Sequence, residues 1–128
     1  MMGKLLLASI IGLSGTYFLS FLVGTYYKFG VKHNWFFEIL HFLGGFFVAM
    51  FFSNFFDSWA RTLIGLGVIS FVWELHEYLI AKIPRFSRFY KKRFNLKSVD
   101  YKWGDTALDL CLNFAGAIVF LYLFHLVL

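Results

Sequence analysis

Four apolar stretches dominate this chain, and each is long enough to cross a lipid bilayer. They run from about Leu5 to Tyr27, Trp35 to Phe56, Trp59 to Ile83 and Thr106 to Leu128. A bilayer core about 30 Å thick needs roughly 20 apolar residues of α-helix. Inside it every backbone N–H and C=O must be satisfied within the protein, so spanning chains are helices or closed barrels. Runs of this length read as helices. The expected fold is all-α: a four-transmembrane-helix bundle forming one domain over residues 1–128. Composition agrees. The chain is 60% hydrophobic with mean hydropathy +0.71, too apolar for a soluble domain of this size. It has no Gly/Ser-rich linker and no low-complexity tail. Its single cysteine, Cys111, excludes an intramolecular disulfide and reads as a packing residue.

The first stretch begins with Lys4 and an apolar core, as a signal peptide would. It lacks a small-x-small cleavage site, and it outlasts the roughly 7–15-residue core of such peptides. A retained helix is expected. The second and third stretches are separated only by Asp57 and Ser58, which predicts an antiparallel hairpin. Pro84 ends the third helix, because it lacks a donor and restricts the residue before it.

Basic residues set the expected orientation. Lys4 and Arg61 fall on one side. Lys28, Lys32, Lys82, Arg85, Arg88, Lys91, Lys92, Arg93, Lys97 and Lys102 fall on the other. The positive-inside rule puts the first and third connections in the cytoplasm and both termini outside. The implied location is a bacterial cytoplasmic (inner) membrane, with the 84–103 loop cytoplasmic. In that loop Phe86, Phe89, Tyr90 and Phe94 interleave with Arg85, Arg88, Lys91, Lys92 and Arg93. The pattern suits an amphipathic helix in the interface, its cations attracting anionic lipid headgroups. The net charge of +5 is concentrated there, which points to membrane lipids as partners and not to nucleic acid.

Ala8, Gly12, Thr16, Ser20 and Gly24 recur every four residues on the first helix. Small residues at this spacing let a second helix approach closely. The stripe can serve a homo-oligomer, a partner helix, or packing within the bundle.

Seven polar residues interrupt the apolar stretches: Glu38, His41, Glu74, Glu77, Asp105, Asp109 and Asn113. A charge at the bilayer centre costs about 2.5–3.5 kcal/mol on insertion scales. The spacings are i, i+3 for the two pairs and successive i, i+4 for the last three, so each set shares a helix face. With helices two and four running outward and helix three inward, all fall in the cytoplasmic half of the membrane. Faces at one depth meet in the bundle interior, since lipid would leave them unsatisfied. His41, Glu74, Glu77, Asp105, Asp109 and Asn113 form the expected buried polar site. Glu38 lies nearer the water interface.

Four readings of that site stay open. Carboxylates and a histidine across helices hold metals in bundles, and Glu38-x-x-His41 has the spacing of half a di-iron motif. A divalent cation would then draw on His41, Glu74 and Asp109. Paired carboxylates such as Glu74 and Glu77 also suit acid/base chemistry on a lipid headgroup. Proton or ion transport needs more helices than one copy offers. A structural network is the fourth, although interhelical polar contacts are worth only about 0.6–2 kcal/mol. His76 is expected to face a neighbouring helix or the interface, and His33 and His125 to be solvated. Trp35, Trp59 and Trp103 fall at span ends as an aromatic belt, while Trp73 is deeper and placed to cover the polar site.

The order His41-Phe42, Glu74-x-x-Glu77, Pro84-Arg85 and Asp109-x-x-x-Asn113-x-x-Gly116 resembles the VanZ-like family of small membrane proteins. Trp73-Glu74-x-x-Glu77 and Asp105-Thr106-x-x-Asp109 are still more similar to a related family of bacterial inner-membrane proteins typified by YjdF. Glu77 stands where VanZ-like proteins carry Gln, and the distance from Glu74 to Pro84 is long for them; both favour the YjdF-like relative. The resemblance spans roughly His41 to Gly116. It implies a polytopic helical membrane protein and, through VanZ-like members, an envelope role linked to glycopeptide-antibiotic resistance, without supplying a reaction. The resulting expectation is an envelope-associated protein that binds a lipid or amphipathic ligand at the polar site. Two others accompany it: a metal-dependent membrane enzyme acting on a lipid or polyprenyl-phosphate, and a structural or interaction subunit.

Overall fold

A computed structural model describes residues 2–26, 34–94 and 103–127, with side chains placed over 3–23, 35–93 and 106–124. Every element among them is helical. Helix α1 spans Met2–Leu19 and continues as a π-helical segment, Ser20–Tyr26. Helix α2 spans Asn34–Phe52, α3 Trp59–Lys82, α4 Pro84–Phe94 and α5 Trp103–Val127. Four segments are long and apolar enough to cross a membrane: Gly3–Val23, Trp35–Phe52, Trp59–Lys82 and Thr106–Phe124.

The architecture is built on α2 and α5, the most extensively packed pair. Small residues allow that contact. A Cβ on Gly45 would collide with the Asn113 carbonyl oxygen, and one on Gly116 with the Phe42 carbonyl oxygen. Ala49 and Ala117 are fully buried beside them. Backbones this close gain van der Waals contact, the main cohesive term between helices in lipid. Above the crossing, Phe46 and Phe120 meet edge to face at 5.3 Å, joining a core that includes Leu66 and Leu121.

Helix α1 packs on α2, with Gly12 lying under the Phe47 ring. One member of the small-residue stripe therefore serves packing within the bundle, while Ala8 is exposed. Helix α3 lies against both α2 and α5. Its buried residues are Thr62, Leu66, Ser70 and Glu74, a single face at four-residue spacing. The other faces of α3 are exposed and apolar, including Ile64, Val68, Phe71 and Val72. A helix apolar on nearly all sides suits a lipid environment.

One boundary differs from expectation. Helix α2 ends at Phe52, so the connection to α3 runs from Ser53 to Ser58 and not over two residues. Ser53 Oγ and Asn54 Nδ2 both donate to the Met50 carbonyl oxygen at 2.8 Å, and Asn54 also donates to that of Phe51. These side chains satisfy the last-turn carbonyls and stop the helix. After α3, Ile83 is extended (φ −86°, ψ 116°), the conformation imposed by a following proline. Pro84 then opens α4, where its missing N–H costs nothing. Ser87 is buried against the bundle, while Arg85, Phe86, Arg88 and Phe89 are exposed. Lys28, Lys32, His33, Lys97 and Lys102 lie outside the described residues.

Candidate functional site

The depth argument predicts that polar faces of three helices meet, and they do. From α2, His41 Nε2 lies 3.3 Å from Asp109 Oδ2 of α5, both side chains being 17% exposed. One turn further along α5, Asn113 Nδ2 donates to Ser70 Oγ of α3 at 3.1 Å, a fully buried bond. On α3, the Trp73 indole N–H donates to Glu77 Oε1 at 2.9 Å, so this tryptophan binds the site directly.

Glu74 is the extreme member. It is 6% exposed, and neither of its carboxylate oxygens accepts a close hydrogen bond. Thr106, in the first turn of α5, is a neighbouring side chain. One oxygen from each of Glu74, Glu77 and Asp109 lies within 4.8 Å of the others. Chemically this set offers three hard oxygen donors, suited to a divalent cation or a shared proton. His41 contacts Asp109 from outside that trio, and Glu77 stands in it where the spacing argument placed His41. Asp105 occupies the first turn of α5, but its side chain lies outside the described ones, as does that of His125.

Glu77 and Asp109 of the cluster line a half-open cavity of about 550 Å³ bordered by α1, α2, α3, α4 and α5. Glu38, His41, Glu77, Asp109 and Asn113 are among its polar lining; Leu13, Phe21, Val48, Leu66 and Ile80 are among its apolar walls. Thr16 and Ser20 also line it, so two more positions of the α1 stripe border the cavity. Gly44 lies on this wall, and a Cβ there would meet nothing within 4 Å. Tyr90 of α4 closes one side. His76 is exposed, with its ring 5.4 Å from Trp73.

Ser70 is the site residue that the sequence argument passed over. A serine in an apolar helix is cheap to bury and carries no charge signal. Its spacing of four from Glu74 was the available clue.

No curated protein and no solved structure matches the chain. A family match takes in the first helix as well as the segment from His41 to Gly116, and it is not a match to VanZ-like proteins. By that match over residues 2–128, the chain belongs to the family described as "Predicted membrane protein (DUF2238)".

Proposed function

We propose that this membrane protein binds an amphipathic, lipid-like ligand in the cavity between its helices. The observation that carries the reading is the cavity's mixed lining, in which apolar side chains of α1, α2 and α3 stand beside His41, Glu77, Asp109 and Asn113. Binding sites commonly combine apolar walls with a few placed polar groups that fix orientation. The acids suit a head that donates hydrogen bonds or carries positive charge, such as an amine or hydroxyl. The chain of the ligand would follow the apolar wall.

The orientation inferred from the basic residues puts these polar residues in the cytoplasmic half of a bacterial inner membrane. Helix α4 would lie in the interface there, with Arg85, Arg88, Lys91, Lys92 and Arg93 near anionic headgroups. The motif similarity to VanZ-like proteins supports an envelope-associated role. Native mass spectrometry of the protein released from two detergents tests the binding. A retained amphiphile is expected in the wild type and absent in Gly44→Phe, whose ring would fill the cavity. A wild type that carries none in either detergent, while folded, sinks the reading.

A further inference from the structure

Three carboxylates converge here, and the described side chains offset them only in part. Trp73 donates to Glu77, and His41 contacts Asp109. Glu74 accepts from neither, and both its oxygens are buried beside the Thr106 side chain without a close hydrogen bond. Buried charges are normally paired or coordinate a metal. No lysine or arginine among the described residues lines the adjoining cavity.

We propose that Glu74, Glu77 and Asp109 together bind one divalent cation at the wall of the cavity. Their nearest oxygens already lie within 4.8 Å of one another. Oxygens at about 2.1 Å from an octahedral Mg²⁺ lie about 3.0 Å apart when adjacent and about 4.2 Å when opposite, so the three carboxylates draw together when the ion binds. The ligands are all carboxylate oxygens, which suit Mg²⁺ and Mn²⁺. Glu77 and Asp109 line the cavity, whereas Glu74 sits behind them. A cation among the three therefore keeps coordination positions open toward the cavity, where water or a ligand oxygen completes its shell. His41 is a positioning residue that contacts the Asp109 carboxylate at 3.3 Å. The site requires no amphiphile in the cavity, so it stands or falls separately from the ligand reading.

Trp73 provides an internal reporter, because its indole N–H shares Glu77 with the cation. The experiment uses the full chain in detergent, stripped with chelator and carrying phenylalanine at Trp35, Trp59 and Trp103. Mn²⁺ is titrated while Trp73 emission and free Mn²⁺ by paramagnetic resonance are followed. One saturable Mn²⁺ per chain is expected, with Mg²⁺ competing and Trp73 emission changing in step. Glu77→Gln and Asp109→Asn each weaken binding by about tenfold or more, the scale seen when a metal site loses support. Asp57→Asn, at an exposed acid in the α2–α3 connection that does not line the cavity, leaves the affinity unchanged. If Asp109→Asn does not fold, Glu77→Gln decides. A folded wild type with no saturable Mn²⁺ or Mg²⁺ binding overturns the proposal, and so does an affinity indifferent to Glu77→Gln. An amphiphile that stays bound in Glu77→Gln while Mn²⁺ is lost supports the cation site as an independent feature.

Discussion

At the scale of the residue, two adjacent glycines show how differently one amino acid can be used. Gly45 sits where α2 touches the α5 backbone, and an added methyl would overlap the Asn113 carbonyl. Gly44 faces the cavity with nothing within 4 Å. Overpacking a tight contact costs about 1–3 kcal/mol. Gly45→Ala and Gly116→Ala should therefore lower the thermal unfolding midpoint in detergent, whereas Gly44→Ala should leave it near wild type. Equal effects at the two neighbours would contradict the packing described. The Asn113–Ser70 bond is a second case. Double-mutant cycles on interhelical hydrogen bonds in membranes give coupling of about 0.6 kcal/mol on average and about 1.7 at most. Asn113→Ala and Ser70→Ala should couple within that range, as read from stability in detergent. Acidic residues and Asn113 were legible from sequence because charge in an apolar run is conspicuous. Ser70 was not, because it carries no charge; Gly44, Gly45 and Gly116 mark close helix contact in the sequence, but not that Gly45 and Gly116 make it and Gly44 does not.

At the scale of the element, helix existence followed from apolar length, since a spanning segment has few alternatives. Helix ends followed less well. The stop at Phe52 depends on Ser53 and Asn54 folding back onto Met50, a local competition that hydropathy does not report. The stop at Ile83 was readable, because proline constrains its neighbour directly. The α1 stripe was ambiguous for a different reason. Gly12 meets Phe47, while Thr16 and Ser20 border a cavity, and identical spacing gives no hint of which. Helix α4 has basic and aromatic side chains together on its exposed surface. Each Lys or Arg near an anionic membrane is worth about 1 kcal/mol. A peptide covering Pro84–Phe94 should thus bind vesicles rich in anionic lipid. Replacing Arg85 and Arg88 with Gln should weaken that binding by about 2 kcal/mol, with the difference shrinking as salt rises. Vesicle co-sedimentation measures both, and binding that ignores lipid charge would contradict an electrostatic role for α4.

At the scale of the whole molecule, the polar cluster and the basic helix belong to the same end of the bundle. Tyr90 of α4 and Asp109 of α5 line one cavity, so the end that carries the charged helix also carries the acids. Which side of the membrane this end faces is a matter of the loops. Ten lysines and arginines flank it and two flank the other, Lys4 and Arg61. Positive charge near span ends is retained on the cytoplasmic side. Both termini should then lie outside, and the acidic site should open in the inner half of the membrane. Alkaline phosphatase fused after Leu128 should be active, and green fluorescent protein at the same point should stay dark. Changing Arg85, Arg88, Lys91, Lys92 and Arg93 to Gln cuts the ten to five, lowers the excess from eight to three, and should produce a mixed population with both reporters partly active. A bright fluorescent fusion on the unmodified chain would invert the molecule, turn the site and α4 outward, and remove the cytoplasmic leaflet as the source of its ligand.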